Sequence, residues 1–427
     1  MDTLARVKEL AAKQFGGDAQ AIDENAPVDQ LGIDSLGFLE FLFELEDHFE
    51  FPIPQEAVAN VKTLAELSNA IDGLIIAKQT TQAAQFDRAT QFALAAVRHA
   101  LRDASLDLSA EESRLAGVYW GTGLGGASTI EESYRLLYVG GGRVRPSSVV
   151  LGMNNAAAGN ISIANGLRGP VLNVSTACSS SAASIGEAYR AIKAGYADVI
   201  VAGGSEALIT HGNLRAWDAM QALAHADPID PARSCKPFSA NRRGIVLGEG
   251  AAALVLESAE RAERRGARIY AELVGYGNAA DASHISKPDA DGQARAMCAA
   301  LAEAKVAPGE IGYINAHGTA TAVGDVVETN AIKKVFGDDA RGVAVSSTKA
   351  LHGHLMGATG ALEMIAATAA LVYRMIPPTA HLECPDPACD LDYVPNEPRQ
   401  LQSEVVMSNS FAFGGMNAVL VARRYSN

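Results

Sequence analysis

Residues 169–181 read GPVLNVSTACSSS, and AASIGEAYRAIKA follows at 182–194. The run VLNVS (171–175) is short, apolar and β-branched, which is strand-like. The small residues after it lead into a helical stretch from Ala182 to Ala194. Cys178 therefore falls on a strand-to-helix turn, at the N-terminus of a long helix. The aligned peptide dipoles there favour a thiolate, so a lowered thiol pKa is expected. Taken alone, the stretch fits a buried structural cysteine equally well.

The same pattern recurs outward from this turn. Short apolar runs stand at 115–120, 198–203, 250–257, 269–276, 311–315, 343–347, 404–408 and 417–423, separated by Ala- and Gly-rich helical segments. From Asp87 onward this is the signature of an α/β layered domain. Two of the runs lead into histidines: NAHGTAT (315–321) carries His317, and SSTKALHGH (346–354) carries His352 and His354. Open α/β sheets gather their sites at the carboxyl ends of strands, so Cys178, His317 and His354 are expected to converge. Neutral imidazoles there can donate Nε2–H to an enolate or oxyanion. A metal pair at His352 and His354 lacks a carboxylate or third ligand at a convincing spacing, and no metal is expected. The glycines of GTGLGG (121–126) are not followed by Lys-Ser/Thr, which argues against a phosphate loop.

The first 80 residues differ. Of a formal charge of -14 over 427 residues, they hold -10, from 15 acidic and 5 basic side chains. Helical periodicity runs over 3–15 and 35–49. A third helix spans 63–76, where Thr63 caps and Glu66 completes a capping box. Asp34 or Ser35 would cap the second helix. On that helix Leu36, Leu39, Leu42, Phe43 and Phe49 can face a core, while Glu40, Glu44 and Asp47 form an acidic stripe. Residues 78–86, KQTTQAAQF, read as a short polar linker. The expected division is 1–77, linker 78–86, and 87–427. An acidic head disfavours nucleic acid and steers basic protein partners. No run of about 18 uncharged apolar residues is seen, so no membrane span is expected. Five scattered cysteines argue against a disulfide framework and for a cytoplasmic, reduced chain.

Over 3–76, LGIDSLGFLEFLFELEDHF and TLAELSNAI resemble an acyl carrier protein. The resemblance implies 4'-phosphopantetheine on Ser35, installed by a phosphopantetheinyl transferase. It also implies docking through Glu40, Glu46 and Asp47. Over 86–427, TACSSS, HGTAT with Gly324, Asp325 and Glu328 after it, the segment from Lys349 to His354, PDPACDLDYVPN (385–396) and NSFAFGG (409–415) resemble an elongating beta-ketoacyl-acyl carrier protein synthase of the thiolase superfamily. This implies a thiolase-like α-β-α-β-α fold behind a small all-α bundle. It further implies decarboxylative Claisen condensation of acyl and malonyl carrier thioesters, in fatty-acid or polyketide biosynthesis, by a homodimer or heterodimer.

The roles implied by the resemblance are specific. Cys178 takes the acyl group, and His317 and His354 serve decarboxylation. Lys349 pairs with Glu328. The backbone N–H groups of Cys178 and Phe413 form the oxyanion hole, and Thr319 and Thr321 bond the pantetheine arm. Leu124, Phe411 and Ile245 line the acyl pocket. The chain departs from the family at 239–245, at Ala412 and Met416, and in lacking an opening strand. That strand is expected inside the first sheet, so its loss would leave unpaired groups on two neighbours. The alternative function is a carrier fused to a catalytically impaired docking scaffold.

Overall fold

The computed structural model describes residues 3–31, 33, 35–49, 53–58, 61–83 and 85–426, which form two compact units, Met1–Phe86 and Asp87–Asn427. Asp34, one of the two expected cap residues, lies outside the described residues.

The first unit is helical: α1 (Thr3–Phe15), α2 (Ser35–Phe49), the single turn α3 (Gln55–Val58) and α4 (Leu64–Ala83). Its core joins Val7 and Leu10 of α1 to Phe41, Leu42 and Leu45 of α2 and to Leu64, Leu67 and Ile71 of α4. Phe43, expected to face that core, is 66% exposed, because Phe41 and Leu45 occupy the inward face. Thr63 Oγ1 accepts from Glu66 N at 3.1 Å, and the Glu66 carboxylate reaches back to Lys62 N at 2.7 Å, one residue beyond the expected partner. Glu46 accepts from Ile53 N, so that carboxylate holds the chain after α2. Helix α4 runs on to Ala83, six residues into the stretch expected to be a linker. Lys, Gln and Ala there are good helix formers, and neither Gly nor Pro interrupts them.

In the second unit the helices are α5 (Arg88–Asp103), α6 (Ala127–Tyr138), α7 (Ser148–Gly152), α8 (Ala156–Asn165), α9 (Ser180–Lys193), α10 (His211–Ala219), α11 (Ala259–Arg264), α12 (Ala290–Ala304), α13 (Gly324–Phe336), α14 (Lys349–His352) and α15 (Thr359–Tyr373). The strands are β1 (Ala116–Gly121), β2 (Val171–Val174), β3 (Val199–Glu206), β4 (Gly250–Glu257), β5 (Glu272–Ala280), β6 (Ile311–Asn315), β7 (Ala344–Ser346), the two-residue β8 (Met375–Ile376) and β9 (Arg399–Gln400), β10 (Val405–Ala412) and β11 (Met416–Arg423). All nine apolar runs form strands.

Two sheets result, ordered β2-β1-β3-β4 and β7-β6-β10-β11-β5. They repeat one plan: two parallel pairings followed by antiparallel ones. Helices α9 and α15 pack between the sheets, α5 and α8 cover one outer face, and α12 and α13 lie on the other. This is the expected five-layer α-β-α-β-α order. The central helices approach closely at Gly360, where a Cβ would stand 2.9 Å from Ala182 N.

One expectation is corrected. Among the described residues the first sheet is continuous from β2 to β4, so no gap stands between two neighbours, and β4 forms one edge of the sheet. One window, Met356–Tyr373, is long and apolar enough to cross a membrane, but it is 61% buried as a central-layer helix.

Candidate active site

The carboxyl ends of five strands meet at one cavity. Cys178 follows β2 in a single 3₁₀ turn, Ala177–Ser179, and α9 begins at the next turn. Its neighbour Ala177 is held at φ +49°. Phe238, Ala320 and Met356, also near the site, share this left-handed backbone with φ of +62°, +61° and +45°. Such strain in residues carrying a Cβ persists only where the surroundings fix it, and it clusters at functional sites.

Cys178 Sγ lies 3.1 Å from His354 Nε2 and 4.0 Å from Met356 Sδ. His354 Nδ1 is 3.0 Å from Thr359 Oγ1, which fixes the ring. The His317 and His354 rings stand edge to face with centroids 5.4 Å apart. Both are buried, at 8% and 1% exposure. His317 Nδ1 has no partner among the described residues. The ligand atoms of Cys178, His317 and His354 all lie within 4.8 Å of one another. His352 is outside this group: its Nε2 meets Thr348 Oγ1 and its Nδ1 meets Gly353 O.

Burial sets the protonation states. It holds both His317 and His354 well below the usual imidazole range, and the Lys349 ammonium depresses them further. Both rings are neutral at physiological pH. Burial also pushes the Cys178 thiol up to about 12, although Lys349 and the backbone N–H groups of Phe413 and Cys178 act the other way. The lowered thiol pKa expected from the helix N-terminus is therefore not found: desolvation outweighs the dipole.

The expected Lys349–Glu328 pair is also corrected. Lys349 pairs with Glu363 on α15, and both side chains are fully buried. Glu328 instead accepts from His317 N at 2.8 Å, Gly318 N at 2.7 Å and Asn409 Nδ2 at 3.2 Å. It organises the His317 loop through the backbone. Burial pushes the Glu363 carboxyl up to about 7 despite its partner.

The cavity measures about 540 Å³ and is lined by Cys178, His317, His354, Thr319, Thr321, Ile245, Phe411 and Phe413. Thr319 Oγ1 and Thr321 Oγ1 are 3.2 Å apart. Exposed Arg243 and Lys287 stand at its rim. Leu124 is not among the lining residues and is 44% exposed. Its amide, with that of Gly123, donates to the buried Glu206 carboxyl group, so the glycine loop already holds an internal acceptor. Phe413 stacks on Trp217 with centroids 5.9 Å apart. It opens a hairpin turn in which Gly414 and Gly415 have φ of +84° and +68°, and a Cβ on Gly415 would lie 2.6 Å from Asp281 Cβ. Ala412 ends β10 in extended pairing with Met416, so its Cβ is tolerated. Ser35, the candidate attachment residue, is the first residue of α2.

Sequence reasoning missed Glu363, Met356, Thr359 and Glu206. Glu363 and Glu206 had a signal, each being a lone carboxylate in an otherwise apolar or small-residue stretch.

Residues 40–262 match the beta-ketoacyl synthase N-terminal domain, 270–383 its C-terminal domain, and 5–71 a phosphopantetheine attachment site. The 3-oxoacyl-[acyl-carrier-protein] synthase 2 of Staphylococcus aureus (strain COL) is 45% identical over 347 residues, 81% of this chain and 83% of that protein. Nodulation protein E of Rhizobium meliloti (strain 1021) is 47% identical over 344 residues, 80% and 84% of the two chains. A beta-ketoacyl synthase from Burkholderia phymatum STM815 superposes with a TM-score of 0.75 at 38% identity, covering 80% of this chain and 83% of that one. A type II polyketide acyl-carrier protein in complex with its ketosynthase bound to the hexaketide gives 0.76 at 34% identity, covering 79% and 85%.

Proposed function

Because the chain belongs to the beta-ketoacyl synthase family, we propose that its second unit, 87–427, condenses an acyl thioester with malonyl-carrier to give a 3-oxoacyl-carrier, in fatty-acid or polyketide biosynthesis. Within the first unit, residues 1–77 are the carrier. The observation that carries this reading is the Cys178–His354 contact of 3.1 Å beside His317 in one buried cavity.

At rest Cys178 is a thiol and His354 a neutral base. As Sγ attacks the acyl carbonyl, His354 Nε2 takes its proton and passes it to the departing pantetheine sulfur. The backbone N–H groups of Cys178 and Phe413 receive the oxyanion. Malonyl-carrier then loses CO₂, and the electron pair of the broken C–C bond moves into the enolate. An N–H group of His317 stabilises that oxygen, and His354 faces it from across the cavity. The enolate carbon attacks the acyl carbonyl on Sγ. The C–S bond breaks as the intermediate collapses, and the released Cys178 thiolate takes a proton from water entering the opened cavity. Neutral histidines suit this step, since a buried imidazolium would be costly in both the free and bound states. Lys349 acts on it through its field, and Glu328 positions the His317 loop.

Ser35 offers a hydroxyl at the start of α2, where partial positive charge favours a phosphodiester. The 4'-phosphopantetheine it would hold supplies a thiol for thioester linkage, and a phosphopantetheinyl transferase would install it. Thr319 and Thr321 would receive the arm of an incoming carrier. Arg243 and Lys287 at the rim complement the exposed acids Glu40 and Asp47 of a carrier. The exposed Val171 and Leu172 of edge strand β2, with Tyr138, Val149 and Val150, fit a subunit interface, homodimeric or heterodimeric. All five cysteines are free, and we place the chain in the cytoplasm.

The open edge of the first sheet favours the second reading, a catalytically weak docking scaffold. Incubation with an acyl-carrier followed by peptide mass analysis separates the two. An acyl group on Cys178 supports the synthase, and its absence with a folded chain supports the scaffold.

A further inference from the structure

The two sheets of the second unit repeat the same plan, and the repeat extends to the helices. Helix α5 precedes β1 as α12 precedes β6, and both carry an Asp N-cap, Asp87 and Asp289. The 3₁₀ turns at 177–179 and 356–358 lead into α9 and α15 alike. The repeat breaks at one place. Before α12 stands β5, which pairs antiparallel along β11. Before α5 stands α4, and no strand pairs with the outer edge of β4 among the described residues.

The consequence shows in burial. All but the two end residues of β11 are buried, whereas β4 has one buried residue, Ala252, and seven half-buried ones. The sequence of β4, GAAALVLE, is apolar to its last residue. It lacks Pro, Lys or a register shift to blunt the edge. Alternate residues of an antiparallel edge strand turn their N–H and C=O outward. Ala251, Ala253 and Val255 lie toward α5, and Ala252, Leu254 and Leu256 lie toward the central layer. A segment added here would be covered on both faces.

We propose that the outer edge of β4 binds an extended strand from a separate polypeptide. The strand runs antiparallel to β4, is apolar on both faces, and completes the first sheet as β5 completes the second. Main-chain hydrogen bonds supply affinity and the two half-covered faces select apolar side chains. A second copy of this chain is the weaker occupant: it would present its own β4 already flanked by α5, leaving little room for edge-to-edge approach.

The test uses the full chain and a library of nine-residue peptides drawn from Ala, Val, Ile, Leu, Thr and Gly, with the β5 sequence ELVGYGNAA included. The expected result is saturable binding by a subset, slowed amide exchange within 251–256, and at least tenfold weaker binding when alternate peptide nitrogens are methylated. Absence of any saturable binder overturns the proposal, as does equal binding of methylated peptides. Protection of 251–256 that rises with protein concentration without peptide assigns the edge to a second copy and overturns it too.

Discussion

Lys349 and Glu363 form an ion pair with no solvent contact, reaching from the start of α14 to the first turns of α15. The pair ties the loop bearing His354 to the central layer, and its ammonium bears on Cys178 and both site histidines. Removing one partner strands a buried charge, which costs about 3–5 kcal/mol, whereas replacing both with apolar residues is often close to neutral. E363A is therefore expected to destabilise the second unit by that amount, and K349M/E363L to recover most of it without recovering condensation. Urea unfolding followed by tryptophan fluorescence measures this, since Trp120 and Trp217 both lie in the second unit. Equal loss in the single and double variants contradicts the pairing.

Cys178 should behave as a thiol. With its pKa near 12, the rate of alkylation by iodoacetamide rises about tenfold per pH unit between pH 7 and 10. Peptide mass analysis distinguishes it from the exposed Cys298 and Cys384. A rate that levels off near pH 7 would show a resting thiolate instead.

His352 gives a pH-dependent stability with a definite sign. Burial and Lys349 hold its pKa at about 4, against 6.5 for a free imidazole. Below pH 6.5 the unfolded chain takes a proton that the folded chain refuses until about pH 4. Its contribution is thus intact above pH 6.5 and lost as pH falls through that window, by about 2 kcal/mol at pH 5. H352Q should lose less stability than the parent between pH 7 and pH 5, by about that margin, in the same fluorescence assay. Parallel losses would mean that His352 titrates normally.

S35A should block pantetheinylation while leaving Cys178 open to acylation by a separate carrier. Intact-mass measurement after treatment with a phosphopantetheinyl transferase and coenzyme A reads the first, and peptide mass analysis the second. Modification that survives the substitution removes Ser35 from the attachment role.

Much of this site was legible because its residues sit where strands end. Cys178, His317 and His354 each follow an apolar run by a few residues, and the α/β pattern alone predicts their convergence. The partner of Lys349 was not legible, because pairing depends on which helix turn faces the loop. Glu328 and Glu363 are both buried carboxylates, and only the packing of α15 within the central layer separates them. Leu124 failed for a related reason: its loop turns inward through its amide, toward Glu206, and leaves the side chain half exposed. The thiol pKa failed on magnitude, since a helix dipole of a few tenths to one kcal/mol is small beside full desolvation. The helix across 78–83 was hidden by polar composition, which marks a linker and an exposed helix alike.

The most direct measurement is the product itself. The pantetheinylated protein, given an acyl donor and malonyl-carrier, should release CO₂ and form 3-oxoacyl-carrier by mass analysis, with C178A forming none. Absence of 3-oxoacyl-carrier from a folded protein, with Cys178 left unacylated, would contradict the condensing role and leave the carrier as the chain's only working part.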